Sequence, residues 1–166
     1  MATTLAAPSI ASNRSRWMII ALGALTVGTL DILDAITFFW IRSHASPERI
    51  FQSIAAGLLG RASYSGGAAT AVLGGILHFE IATIVVFTFY GMSRIIPELA
   101  RRPFLWGPLY GVAVYVVMNY IVLPLSASGG GGTPKALAVL INGLSIHIVG
   151  VGIPSALTAR AATMSP

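Results

Sequence analysis

The sequence predicts an all-α membrane protein, a four-transmembrane-helix bundle with a short interfacial helix between spans one and two. Hydrophobic residues occupy 55% of the 166 positions and charged residues only 9%, whereas an ordinary soluble domain carries about 25% charged residues. The mean hydropathy is +0.82, and the apolar residues form runs long enough to cross a hydrocarbon core of about 30 Å. We therefore expect a single integral membrane domain over residues 1–166, with the lipid bilayer covering its surface.

The apolar runs set the boundaries of the predicted spans. The first, 17–40, has a tryptophan at each end, and tryptophan is enriched at both membrane interfaces. The other three are 68–93, 104–125 and 134–158. The short connection between the second and third spans predicts antiparallel neighbours, and the consecutive glycines at 129–132 indicate a flexible turn.

Residues 47–60 are predicted to form a short helix between the first two spans. Ser46 suits the N-cap and Pro47 the first turn. Apolar residues recur at spacings of three and four opposite a polar face. The apolar residues are Ile50, Phe51, Ile54, Leu58 and Leu59, and the polar ones are Arg49, Gln52 and Ser53. The segment is too short to span, so we expect it to lie on the membrane surface or to fold back over the bundle.

The distribution of basic residues predicts the orientation of the chain. With both termini in the cytoplasm, the inner side holds Arg14, Arg16, Arg94, Arg101, Arg102 and Arg160, and the outer side holds Arg42, Arg49, Arg61 and Lys135. Cytoplasmic loops carry the excess of arginine and lysine, so both termini are expected there. Because these residues separate apolar runs, the net charge of +5 does not indicate a nucleic-acid partner.

Seven acidic, histidine and asparagine residues lie inside the predicted spans, where one charge costs about 2.5 to 3.5 kcal/mol on insertion scales. They are Asp31, Asp34, His78, Glu80, Asn119, Asn142 and His147. A rise of 1.5 Å per residue places them in one layer between the outer interface and the midplane. Asp31 and Asp34 share a helix face and are expected to share a hydrogen-bonded site. His78 and Glu80 are two residues apart, so only one of them is expected to face the interior.

Three interpretations of this polar layer remain open. Its members can bond one another and fix helix register, as in a structural or partner-binding subunit, including a homo-oligomer. Paired aspartates can exchange protons with a histidine, as in a proton- or ion-handling transporter-like protein. Haem ligation by His78 and His147 is the third, although their estimated depths differ. No metal-ligand cluster, nucleophile motif or phosphate-binding loop stands out, so we expect no resident cofactor or metal and no enzyme activity.

Small residues and prolines predict the packing and irregularity of the last two spans. The glycines are Gly107, Gly111, Gly143, Gly150 and Gly152. The first two have the GxxxG spacing that allows helix backbones to approach closely. The other three leave the fourth helix without side chains at their positions, so it is narrower there. Pro124 and Pro154 are expected to disturb the regular helix around them.

Several short motifs follow one another in a recognisable order. They are GTLDILD at 28–34, SPERI at 46–50, AGLLGR at 56–61, GGILHF at 74–79, NYIVLPL at 119–125 and IHI at 146–148. In this order, over residues 20–160, the chain resembles the YagU-like family of uncharacterised bacterial inner-membrane proteins. The resemblance is strongest to the small four-span relatives of that family. The resemblance implies a multi-pass inner-membrane location and a link with acid tolerance. It implies no catalytic residue and no substrate.

Overall fold

A computed structural model describes residues 10–132 and 136–164, with side chains from residue 15 onward. Four of its helices are long and apolar enough to cross a membrane: Ser15–Ser43, Gly67–Ile95, Pro103–Leu125 and Leu137–Met164. The predicted all-α architecture with four candidate spans is thus confirmed. The first, second and fourth helices continue past their predicted ends because helix formation does not stop where the apolar run stops. The predicted start of the fourth span, at 134, lies outside the described residues.

The helices, numbered in chain order, are α1 (Ile10–Ser43), α2 (Pro47–Leu59), α3 (Gly67–Ile95), α4 (Glu98–Arg101), α5 (Pro103–Val117), α6 (Leu123–Leu125), α7 (Leu137–Ile146) and α8 (Ile153–Met164). A 3-10 turn, Gly60–Ser65, connects α2 to α3. The third span consists of α5, a π-helical segment at Met118–Val122 and α6. The fourth consists of α7, a second π-helical segment at His147–Gly152 and α8.

Both π-helical segments come just before a proline. Met118–Val122 precedes Pro124, and His147–Gly152 precedes Pro154. A proline ring clashes with the carbonyl of the fourth residue before it and offers no N–H to bond, so the preceding turn widens. The irregularity predicted at these prolines is therefore present on their N-terminal side. Its consequence is that Asn119 and His147 lie in widened turns, which are frequent at functional sites.

The four spans alternate in direction. Trp17 of α1 stacks on Phe87 of α3, with ring centroids 5.8 Å apart. Further along α1, the carbonyl of Gly28 is bonded to His78 of α3 at 2.7 Å. Because residue numbers rise along α1 while they fall along α3, the two helices are antiparallel. Gly23 of α1 lies against Thr158 of α8, so both described ends of the chain lie on one side of the bundle, called here the terminal side, and α2 lies on the opposite side, called the α2 side.

The terminal half of the bundle is densely packed with apolar side chains. Its buried residues are Ile20, Ala24, Val27, Ala82, Val86, Phe89, Leu99, Val114, Val151, Ala156, Ala159 and Ala162. The Phe89 ring meets the edge of Tyr110 at a centroid distance of 4.9 Å. The Tyr110 hydroxyl donates to the Val85 carbonyl at 2.7 Å, so this polar group is satisfied without water. The terminal half thus forms a closed apolar layer.

Glycines bring the third and fourth spans into backbone contact. A Cβ added at Gly111 would overlap the backbone carbonyl of His147, and one at Gly152 would overlap the carbonyl of Gly107. Small residues allow this approach, which van der Waals contact between the backbones then stabilises. The close packing predicted from the GxxxG spacing is therefore present in the structure. It fixes the π-helical segment that begins at His147 against α5.

The helix α2 begins as predicted, and Ile50 is buried as expected, but two other residues of α2 depart from the predicted faces. Ser46 caps it, its Oγ accepting from the Arg49 N–H at 3.2 Å. Gln52, predicted on the polar face, is only 5% exposed, and its Nε2 donates to the Gly67 carbonyl and to Glu48 Oε1, each at 3.2 Å. Leu58, predicted on the apolar face, is exposed instead. The prediction for Gln52 was wrong because two hydrogen bonds compensate its amide, which allows α2 to fold back on α3.

Candidate functional site

A cavity of about 400 Å³ lies between α2 and the packed terminal half. Its floor is the apolar layer, represented by Val27, Ala82, Val114 and Val151, which also belong to the core. The polar side chains that line it are Asp31, Ser53, His78, Tyr115, Asn119, Ser126 and His147. All four spans and α2 contribute to the wall. The volume is within the range of about 300 to 1,000 Å³ found for small-molecule sites.

Asp31 is the acidic residue of the cavity wall. The structure gives its carboxylate no hydrogen bond within the part of the chain it describes, and the residue is half-buried. Its titratable neighbours are His147, His78 and Asp34. A carboxylate in this position has unused acceptor capacity and two nearby imidazoles, which is the arrangement needed to take up a proton or a cation.

Asp34 has a different role, because its carboxylate is already bonded. Nδ2 of Asn142 donates to Asp34 Oδ2 at 2.7 Å, joining the first and fourth spans. The prediction that Asp31 and Asp34 share one hydrogen-bonded site was therefore wrong. Side chains three residues apart on a helix point about 60° apart. Asp34 therefore faces the fourth span, and Asp31 faces the cavity.

The two histidines hold their rings in place through backbone carbonyls. His78 is 8% exposed, and its Nε2 bonds the Gly28 carbonyl at 2.7 Å. Nδ1 of His147 bonds the Gly143 carbonyl at 2.9 Å. A carbonyl oxygen only accepts, so both of these ring nitrogens carry a hydrogen, and in a neutral ring the other nitrogen is an acceptor. Each histidine thus keeps one nitrogen for a further partner, and both rings line the cavity.

Tyr115 is a site residue that the sequence analysis missed. It is 4% exposed, and its hydroxyl is buried without a hydrogen-bond partner. Its ring meets the edge of His147 at a centroid distance of 5.4 Å. The sequence spacing could have indicated it, since residues 107, 111, 115 and 119 follow at four-residue intervals and share one face of the third span. Asn119 completes this series, lining the cavity while its Nδ2 donates to the Tyr115 carbonyl at 3.0 Å.

Glu80 lies outside the cavity. Its side chain is exposed, between the exposed residues Ile76 and Ile84 on the outer face of α3. This agrees with the expectation that only one of His78 and Glu80 faces the interior, because a residue two positions from His78 points to nearly the opposite side of the helix, and His78 takes the inner side. Glu80 therefore provides a carboxylate at similar depth that does not belong to the site.

Neither a metal site nor a haem site emerges from the geometry. Among residues 10–132 and 136–164, no group of three or more histidines, cysteines or acidic residues is placed to hold a metal ion. Coordination of iron through Nε2 of His78 would require it to release the Gly28 carbonyl. Haem ligation by His78 and His147 accordingly remains a prediction from sequence.

Comparison with protein-family models, with curated proteins and with solved structures gave no match to this chain. The resemblance to the YagU-like family stays a prediction. The functional argument therefore depends on the cavity and its residues.

Proposed function

We propose that the protein is a small multi-pass membrane transporter-like protein that binds a proton or another cation at Asp31. The observation that supports this proposal is the difference between two neighbouring carboxylates. The Asp34 carboxylate accepts a hydrogen bond from Asn142. The Asp31 carboxylate lines a cavity beside His78 and His147 and has no hydrogen bond in the described structure. A purely structural role accounts for Asp34 and gives no reason to keep an acid at Asp31, where insertion into the membrane costs free energy.

The organisation of the bundle separates the proposed binding site from the terminal side. The terminal half is filled by apolar side chains, while the cavity is bounded on the α2 side by Ile50, Ser53 and Gly57 of α2. The N–H of Ala127 donates to the Gly57 carbonyl at 2.9 Å, which connects α2 to the turn after the third span. A cation bound at Asp31 would cross the membrane only if the apolar layer opened, as alternating-access proteins require.

We further propose that the chain resides in the bacterial inner membrane with both termini in the cytoplasm, and that it contributes to acid tolerance. The orientation follows from the excess of basic residues on the terminal side, and the membrane and the phenotype follow from the family resemblance. Under this orientation the cavity lies in the outer half of the bilayer. Reporter fusions to the C-terminus test it: a fusion active only outside the cytoplasm would reverse the orientation.

A second candidate function, a partner-binding membrane subunit, is favoured by Glu80. A carboxylate exposed on a membrane-spanning helix is costly in lipid and is relieved by a neighbouring polar group from a second copy or from another membrane protein. In this alternative, Glu80 carries the function and Asp31 only adjusts the packing of the bundle.

Proton flux in proteoliposomes separates the two functions. We expect the purified protein to accelerate the collapse of a pH gradient, and Asp31→Asn to reduce the rate to that of protein-free vesicles, because asparagine preserves the shape but cannot exchange the proton. The matched control is Glu80→Gln, the same chemical change outside the cavity, which should leave the rate unchanged. A full rate in Asp31→Asn would reject the site at Asp31, and a wild-type rate equal to that of protein-free vesicles would favour the partner-binding function.

A further inference from the structure

We infer that a second pocket, on the terminal side of the bundle, binds the phosphate group of an anionic lipid headgroup. The pocket has a volume of about 410 Å³ and lies between the end of α3, the short helix α4 and the end of α8. It shares no lining residue with the cavity at Asp31. The inference is therefore independent of the function proposed above, and transport and lipid binding can be tested separately.

The charge of this pocket is positive. Arg101 and Arg160 line it, and no acidic side chain of the described residues does. The nearby acid, Glu98, bonds Arg102 at 2.6 Å and contacts Arg101 only at 4.0 Å, while no described acid pairs with Arg160. A guanidinium group binds phosphate oxygens through parallel charge-assisted hydrogen bonds. The wall therefore suits a phosphate-bearing anion and disfavours a cation.

Packing fixes the two helices that carry these arginines. Leu99 of α4 belongs to the same buried cluster as Ala156 and Ala159 of α8. Arg101 lies two positions after Leu99, and Arg160 directly follows Ala159. The backbone on both sides of the pocket is thus held in place before any ligand arrives, so binding does not have to order it.

Exposed apolar side chains beside the pocket favour a lipid over a free phosphate ion. Met164 lines the pocket and is exposed, and Ile95 and Ile96 are exposed between the lining residues Ser93 and Pro97. The pocket also lies at the ends of two helices long and apolar enough to cross a membrane, which is the level of the lipid headgroups. Basic pockets between membrane helices bind anionic headgroups, and acyl chains can cover the apolar rim.

Lipid binding to the full chain in nonionic detergent, measured by native mass spectrometry, tests the inference. The probes are phosphatidylglycerol and phosphatidylcholine with the same acyl chains, so that only the headgroup differs. We expect phosphatidylglycerol to bind about 10-fold more tightly, because the choline cation meets two arginines. Arg160→Gln should remove most of this preference, because it removes charge-assisted hydrogen bonds. The matched control is Arg94→Gln, which removes the same charge from the terminal end of α3, outside the pocket, and should leave the preference unchanged.

Arg101→Gln is a second variant with the same expected loss, which keeps the inference testable if the first variant is unstable. Both side chains are exposed, so the thermal midpoint without added lipid should match that of the wild type. Equal affinities for the two lipids would overturn the inference. Equal losses in Arg160→Gln and Arg94→Gln would also overturn it, since they would indicate general surface charge. Displacement of phosphatidylglycerol by millimolar inorganic phosphate would assign the pocket to free phosphate and overturn the lipid.

Discussion

Replacement of Gly111 by valine is expected to prevent the third and fourth spans from packing together. A Cβ at this position already overlaps the backbone carbonyl of His147 and approaches Ile148. Backbone atoms cannot move aside as the end of a flexible side chain can, so the whole π-helical segment would have to shift. We expect a loss of stability at the upper end of the overpacking range, about 3 kcal/mol, and disruption of the cavity because His147 moves with its carbonyl.

The measurement is the thermal midpoint and the monodispersity of the purified variant in detergent. The matched control is Gly91→Val on α3, where an added Cβ meets no atom within 4 Å. Both changes add the same side chain to a membrane-spanning helix, so differences in propensity and insertion cancel. Equal midpoints for the two variants would mean that the third and fourth spans are not in backbone contact at Gly111.

Replacement of Asn142 by leucine is expected to destabilise the bundle by leaving the Asp34 carboxylate without its donor. An unsatisfied buried acceptor costs about 1 to 3 kcal/mol, and Asn142 Nδ2 is the donor that the structure gives to Asp34. The loss should be smaller in the double variant, Asp34→Leu with Asn142→Leu, because removing both partners leaves no uncompensated group.

A double-mutant cycle on unfolding in mixed micelles measures the coupling between the two side chains. We expect a coupling free energy of about 1 kcal/mol, in the range known for interhelical hydrogen bonds in membranes. Asp31→Leu combined with Asn142→Leu serves as the control and should show additive effects, because the hydrogen bond of Asn142 goes to Asp34 and not to Asp31. Additivity in the Asp34 cycle would remove the structural role assigned to that pair.

The architecture was predictable because run length and hydropathy determine membrane spans almost independently of tertiary contacts. The backbone contacts at Gly111 were predictable for the same kind of reason, since small residues at four-residue spacing have few other uses between membrane helices. Irregularity at Pro124 and Pro154 followed from the missing N–H. The sequence associated Asn119 with the irregularity at Pro124 and placed His147 toward the interior, but it did not show that His147 lies in a widened turn.

The polar pairings were only partly predictable, because they depend on helix rotation. Spacing placed Asp31 and Asp34 on one broad face but could not divide them between a cavity and Asn142. It excluded one of His78 and Glu80 from the interior without deciding which. The burial of Gln52 depends on the Gly67 carbonyl, fifteen positions away, and no local pattern reports such a partner. Tyr115 was missed although it shares a helix face with Gly111 and Asn119, because an aromatic residue in an apolar run also fits a core position.

Infrared difference spectroscopy of the carboxyl band tests the role of Asp31 most directly. Spectra of the protein in lipid are recorded across a pH step, for the wild type, Asp31→Asn, Asp34→Asn and Glu80→Gln. Proton uptake at the cavity predicts a carboxyl band in the wild type that persists in Asp34→Asn and Glu80→Gln and disappears in Asp31→Asn. Persistence of the whole band in Asp31→Asn, or its loss only in one of the other two variants, would contradict the assignment of the proton- or cation-binding site to Asp31.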